Sequence, residues 1–271
     1  MTPTDDELLA AARAGGDAAP EAIEALLGRY ETQIYRFALR LCGHEADARD
    51  VLQETMIAAL RGIPGFRGEA RLSTWLYMIA RSFCIKQRRP GSSVSIGGPL
   101  TDAEPAAPDQ DPDARVHARE IGQALAAAMS ALPEAHREAV VLRDVEGLSA
   151  EEAAEVAGVE IGALKSRLHR GRKELRDHLA ILLGDSDQQA APCPELAQDL
   201  AAYAASDIDQ ATCAQVEAHL AKCERCAGAC DQLKRTVALC RRIPGDGVPD
   251  QVKAAVRHAL VGAIGPAPAR A

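Results

Sequence analysis

Apolar positions in this chain recur at spacings of three and four, the period of helices packed on one face. In ADARDVLQETMIAAL, Val51, Leu52, Thr55, Met56 and Ala59 form one apolar stripe, and Asp47, Asp50, Gln53 and Glu54 form a polar edge. IPGFRGEAR reads as a loop, with Pro64, Gly65 and Gly68 as breakers. Ser73 reads as the cap of the next helix, which carries Trp75 and Tyr77 and ends in Lys86, Arg88 and Arg89. From Leu132 a second helical stretch begins. Pro133 suits a first helical turn; Ala139, Val140 and Leu142 give an apolar face, and Gly147 can end the helix. Ser149 with Glu152 three residues on predicts a capping box. A short helix follows through Ala153, Ala154, Val156 and Ala157, then Gly158 permits a tight turn because it tolerates positive φ. Ile161, Leu164, Leu168 and Leu175 then form one buried stripe on a longer helix.

Composition sharpens the fold class. Hydrophobic residues are 47% of the chain but aromatics only 3%. Cores of Ala, Leu, Val and Ile favour packed helices over a β-sandwich, so the expected fold is all-α. Residues 5–89 and 114–183 read as two small helical domains. Residues 90–113 contain five acidic residues, no basic one and many Pro, Gly and Ser, the composition of a flexible acidic linker. Residues 193–243 hold six of the eight cysteines, and residues 244–271 form a tail with one short helix, DQVKAAVRHALVGAI.

No run approaches the roughly 18 apolar residues of a membrane span, and the acidic start MTPTDDELLAAARAGG lacks an apolar signal segment. The expectation is a cytoplasmic protein without a membrane partner, whose cysteines are thiols or metal ligands rather than disulfides. Neither a nucleophile–base pair nor a phosphate loop is apparent, so a non-enzymatic role is expected.

The net charge of −8 argues against a simple nucleic-acid binder, but its distribution matters more than its sum. Residues 160–178 hold six basic residues against three acidic. At 100° per residue, Ala163, Ser166 and Arg170 point away from the apolar stripe, flanked by His169 and Lys173. Small residues near the helix start allow close entry into a major groove. A basic face can also be plain solvated surface; the short helix, Gly turn and second helix together favour a helix-turn-helix. Trp75 and Tyr77 beside basic residues suit unpaired bases, or they are core.

DARDVLQETMIAAL, FRGEARLSTWLYMIAR and the stretch LPEAHREAVVLRDVEGLSAEEAAEVAGVEIGALKSRLHRGRKEL together resemble an extracytoplasmic-function sigma factor of bacterial RNA polymerase, over roughly residues 5–180. The resemblance implies a first domain (region 2) that binds the polymerase clamp and the −10 element, and a second (region 4) that binds the −35 element. RNA polymerase core and promoter DNA are the implied partners. Polymerase contacts carry over to Asp50, Gln53 and Glu54, with Asp47 beside them. The −10 readout maps to the loop residues Phe66, Arg67, Gly68 and Arg71 and to Trp75, Tyr77, Arg81 and Ser82, with a flipped base held in the loop's pocket. The −35 readout maps to Lys165, Ser166, His169 and Arg170, with Arg172 and Lys173 on phosphates. A stand-alone helix-turn-helix regulator with a structural zinc module is the rival, but it has no use for FRGEARLSTWLYMIAR. A metal-buffering protein would not need the basic helix.

The family's minimal form stops near residue 183. Beyond it, His219-x3-Cys223-x2-Cys226 places His219 and Cys223 on one helix face, with Cys226 in the next turn and Cys193 upstream to close a tetrahedral Cys3His site for Zn. This resembles the zinc-binding anti-sigma domain, normally a separate protein that clamps a sigma factor. It implies an intramolecular contact between the Cys-rich domain and the sigma domains, inhibiting or activating. Cys213, Cys230 and Cys240 exceed one zinc site and are candidate sensor thiols. Three readings stay open: a soft-metal sensor for Cu or Cd, a redox sensor that ejects its metal on oxidation, and a purely structural module. Cys42 and Cys84 fall on apolar stripes and read as small hydrophobes.

Overall fold

The computed structural model describes residues 2–16, 18–87, 112–180, 192–204, 208–241 and 247–264. Among them every regular element is helical. The expected linker lies outside the described residues except for Pro112 and Asp113, which already belong to a helix. None of the described helices is long and apolar enough to cross a membrane. The chain forms two compact units, one of residues Met1–Gly97 with Gly247–Ala271, the other of Gly98–Asp246.

In the first unit, α1 (Asp5–Ala14) starts at a Thr4–Glu7 capping box. α2 (Ala19–Cys42) stops at Gly43, whose φ of 84° puts its N–H on the Leu39 carbonyl. α3 (Glu45–Gly62) buries Ala48, Val51, Leu52, Thr55, Met56 and Ala59, the stripe expected of it. α4 (Leu72–Gln87) begins one residue before the expected Ser73 cap: the Trp75 N–H already bonds the Arg71 carbonyl at 3.0 Å, so Ser73 lies inside the first turn. Leu27, Ile34, Phe37, Leu52, Met56, Leu76 and Tyr77 are fully or almost fully buried here. Phe37 meets Tyr77 edge-on, with ring centroids 4.9 Å apart. Cys42 and Cys84 are joined as a disulfide between α2 and α4. The expectation of thiols or metal ligands rather than disulfides, and of Cys42 and Cys84 as small hydrophobes, fails for this pair, because helical periodicity locates a buried face without saying which residue lies opposite.

In the second unit, α5 (Pro112–Ala131) leads to Pro133 and α6 (Glu134–Val140), which runs on into a π-helical turn, Val141–Val145. α7 (Ala150–Ala157) has both halves of the Ser149–Glu152 capping box, and Gly158 turns the chain at φ 64° into α8 (Ile161–Leu179). Leu164, Leu168, Leu175 and Leu179 of α8 are buried. Ile161, in the first turn of α8, is not; it is 39% exposed. Gly171 permits the α6–α8 crossing: a Cβ there would lie 2.9 Å from Val140 Cγ2 and 3.1 Å from the His136 carbonyl oxygen.

The same unit holds α9 (Ala197–Ala204), α10 (Gln210–Leu220) and α11 (Glu224–Arg241). Asp209 caps α10 through the N–H groups of Ala211 and Thr212. Leu200, Ala204, Val216, Cys226, Cys230 and Leu233 make this module's small core. Both α9 and α11 pack directly on α8, and α11 also packs on the π-helical turn. The Cys-rich module and the helix-turn-helix are thus one packed body.

The last helix, α12 (Asp250–Ile264), belongs to the first unit and packs on α3 and α2. Val252, Val256 and Leu260 of α12 are buried, one every four, the spacing of a single helix face, and Val248 just before the helix is buried as well. Lys253 and Arg257 offset the effect of burial, which raises the pKa of Glu31 on α2.

Candidate nucleic-acid interface and metal centre

Cys193 stands just before the short turn Pro194–Leu196, His219 in the last turn of α10, and Cys226 in the first turn of α11. Cys223 was expected on one helix with His219, but α10 ends at Leu220 and Cys223 sits in the bend that follows, its N–H bonding the His219 carbonyl at 3.0 Å. The bend keeps the two side chains together. The ligand atoms of all four residues lie within 4.8 Å of one another. A tetrahedral zinc with Zn–S bonds of about 2.3 Å needs sulfurs about 3.8 Å apart. His219 Nε2 is buried with no hydrogen-bond partner, a nitrogen not committed to any protein group. The Cys226 N–H, followed by His219, pulls the Cys223 thiol down to about 7, while burial pushes Cys226 up. Arg225 Nη2 donates to Cys193 Sγ at 2.9 Å, a cation beside a ligand sulfur. The residues fit zinc.

Cys213, Cys230 and Cys240 do not join this cluster, and among the described residues no second group of three such ligands forms. Cys213 is half-buried on α10, its thiol 3.6 Å from a Glu217 carboxylate oxygen. Cys230 belongs to the module core. Cys240 is buried on α11, where the charges of Asp144 and Arg172 reach it. Burial raises all three thiols.

Along α8, Lys165, Ser166 and His169 line a groove whose other wall is the Cys-rich module, with Asp199, Asp209 and Thr212 among its residues. The Thr212 N–H and hydroxyl hold the Asp209 carboxyl below the usual range, so it is ionised at neutral pH. Burial, then Lys173 and Arg172, lower His169, leaving a neutral ring whose buried Nδ1 has no hydrogen-bond partner. Arg170 and Lys173 are exposed. Arg172, expected on phosphate, is instead 2% exposed, with its guanidinium bound to Asp144. It lies on the inner side of α8, where a cation is kept only by a partner.

In the first unit, Phe66, Arg67, Gly68, Arg71 and Ser73 line a cleft with Asp5, Asp6, Arg13 and Tyr30. Phe66 packs against Trp75 with centroids 5.0 Å apart, and Arg13 of α1 holds the Phe66 carbonyl. Gly62 sits under the indole: a Cβ there would lie 2.7 Å from Trp75. Tyr77 is fully buried against Phe37, so it shapes the core and is not open to a base. Arg81 is half-buried, and exposed Ser82 donates its hydroxyl to the Ile79 carbonyl at 2.7 Å. On α3, Asp50 and Glu54 are exposed and Asp47 and Gln53 half-buried. Asp50 and Gln53 share a groove with Gln251, Val252, Ala255 and Val256 of α12.

Residues 26–92 match the family described as Sigma-70 region 2, residues 122–175 match Sigma-70, region 4, and residues 193–227 match a zinc-finger family. The chain is 34% identical over 177 residues to the ECF RNA polymerase sigma factor SigE of Mycolicibacterium smegmatis, covering 65% of this chain and 68% of that one. It is 36% identical over 179 residues to the ECF RNA polymerase sigma factor SigM of Mycobacterium tuberculosis, covering 66% and 86%. The RNA polymerase sigma factor CarQ of Myxococcus xanthus is 34% identical over 179 residues, covering 65% and 97%. This chain belongs to the ECF RNA polymerase sigma factors.

As an ECF sigma factor it directs RNA polymerase to promoters, and its partners are the polymerase and promoter DNA. Its zinc-finger segment carries the Cys3His cluster. Sequence reasoning about this sigma factor missed Arg13 and Gly62 beside Phe66 and Trp75, Asp199 and Asp209 beside Lys165 and His169, and the partner of α12. Only Asp209 left a readable trace, as the N-cap in IDQATC; the others depend on contacts between distant segments.

Proposed function

We propose that this sigma factor carries its own inhibitor. The zinc module, formed by α9–α11, seats on the −35-reading face of α8 and keeps region 4 from promoter DNA until the module is displaced. The observation that supports this is the groove in which Lys165, Ser166 and His169 face Asp199, Asp209 and Thr212. Carboxylates there stand where DNA phosphates would otherwise approach a basic helix. In this reading Lys165, Ser166, His169 and Arg170 read the −35 element and Lys173 holds phosphate. Phe66, Arg67, Gly68, Arg71, Trp75, Arg81 and Ser82 read the −10 element.

A second contact supports the same reading. α12 covers part of the α3 face where Asp47, Asp50, Gln53 and Glu54 meet the polymerase clamp. Residues 5–89 then act as region 2, 114–183 as region 4, 193–243 as inhibitor and 244–271 as its arm.

Zinc held by Cys193, His219, Cys223 and Cys226 would fix the bend between α10 and α11 and the start of α9, and so the shape that fits α8. A thiophilic ion, Cu(I) or Cd(II), would compete for the same three sulfurs and change that shape. The role is non-enzymatic and cytoplasmic.

The test is binding of a −35 duplex by the full zinc-loaded chain and by Asp199→Lys, which puts a cation in the groove with Lys165. Repulsion should loosen the module and tighten DNA binding by about tenfold, the equivalent of about 1.4 kcal/mol. Unchanged affinity, with zinc and helicity intact, would remove the inhibitor reading.

A further inference from the structure

Cys42 and Cys84 lie outside the zinc cluster and in the other compact unit. Their Cα atoms are 5.7 Å apart and 42 residues separate them in sequence. That separation is in the range a disulfide spans without moving backbone. The pair ties the end of α2 to α4, the helix that carries Trp75, Arg81 and Ser82.

The two sulfurs are not equally placed. Cys84 is 0% exposed and Cys42 5%. Cys42 is the last residue of α2, next to Gly43, where φ of 84° ends the helix. Helix ends open locally at far lower cost than cores, so opening the last turn of α2 uncovers Cys42 while Cys84 stays packed. A small oxidant therefore meets Cys42 first and finds a second thiol behind it.

We propose that Cys42 and Cys84 are a reversible dithiol–disulfide pair oxidised by hydrogen peroxide, which staples region 2 in its folded form. The Cys42 thiolate attacks one peroxide oxygen. The O–O bond breaks, the leaving hydroxide takes up the thiol's proton as water, and Cys42 becomes a sulfenic acid. The Cys84 thiolate attacks that sulfur. The S–O bond breaks, and the second hydroxide leaves as water with the Cys84 proton. Two thiols have lost two electrons and two protons, and one peroxide has become two waters. A small dithiol reverses the bond by thiol–disulfide exchange. Closing a loop of this length restricts the unfolded chain, so the oxidised domain melts higher.

The full zinc-loaded chain is reduced, freed of reductant and treated with hydrogen peroxide. Trypsin releases Cys42 in residues 41–49 and Cys84 in residues 82–86, both separate from every cysteine of the zinc module. The expected product is one linked pair of these peptides that disappears on treatment with dithiothreitol. The melting transition of region 2 should rise by on the order of 10 °C on oxidation, and not in Cys42→Val or Cys84→Ala. Comparing oxidised with reduced wild type keeps the test independent of whether either variant folds. Alkylation of both Cys42 and Cys84 after a peroxide dose that has oxidised Cys223 and Cys226 would overturn the proposal. So would a linked pair with no rise in melting temperature.

Discussion

Arg172 gives two hydrogen bonds to Asp144, from Nε to Oδ2 at 2.9 Å and from Nη2 to Oδ1 at 2.6 Å, with both side chains almost completely buried. Arg172 belongs to α8, Asp144 to the π-helical turn before the helix-turn-helix, and α11 of the zinc module packs against both elements. The pair fixes how α8 is held, and its charges reach the buried Cys240 of α11.

Arg172→Ala should therefore act on stability and not on phosphate binding. Removing one member of a buried pair leaves an uncompensated charge and costs about 3–5 kcal/mol. Denaturant unfolding of the second unit should shift by that amount. Arg172→Met with Asp144→Leu should lose much less, because no charge is left buried. A normal unfolding curve for Arg172→Ala, together with a flatter salt dependence of DNA binding, would restore Arg172 to the phosphate-contacting set.

Gly171→Ala should loosen the α6–α8 crossing. The added Cβ meets Val140 Cγ2 at 2.9 Å, which a rotamer change can relieve, and the His136 carbonyl at 3.1 Å, which only backbone movement can. Overpacking of this kind costs about 1–3 kcal/mol. Thermal melting should fall accordingly, whereas Gly162→Ala, with open space around the new Cβ, should not lower it.

The Ser149–Glu152 capping box, the positive φ of Gly158 and the Leu164, Leu168 and Leu175 stripe are local, and each was legible from a few neighbouring residues. The four zinc candidates come together although Cys193 is remote, because His219, Cys223 and Cys226 have only a short bend between them. The buried state of Arg172, the choice of core over base contact for Tyr77, the exposure of Ile161 and the pairing of Cys42 with Cys84 were not legible. Each depends on which distant element covers that side of its helix, and helical periodicity carries no such information. The same holds for α12: its Val252, Val256 and Leu260 face was visible as a short helix, but its seat on α3 was not.

That seat gives a prediction for the polymerase. Val252→Asp with Val256→Asp puts two carboxylates into a buried face and beside Asp50, so α12 should leave α3. Core polymerase should then bind the full chain about tenfold more tightly, the equivalent of about 1.4 kcal/mol. Equal affinity, with α12 shown by hydrogen exchange to be released, would mean that α12 does not cover the polymerase face.

The most direct measurement is run-off transcription by core polymerase with the full chain, comparing the zinc-loaded wild type with Cys223→Ser plus Cys226→Ser, alongside metal analysis of both. The double variant should lose its zinc, and with it the shape that fits α8. Transcript from the same promoter should rise by about tenfold at equal protein concentration, corresponding to a mask of about 1.4 kcal/mol. Zinc loss with unchanged or reduced transcript would contradict the claim that the module holds this sigma factor off its promoter.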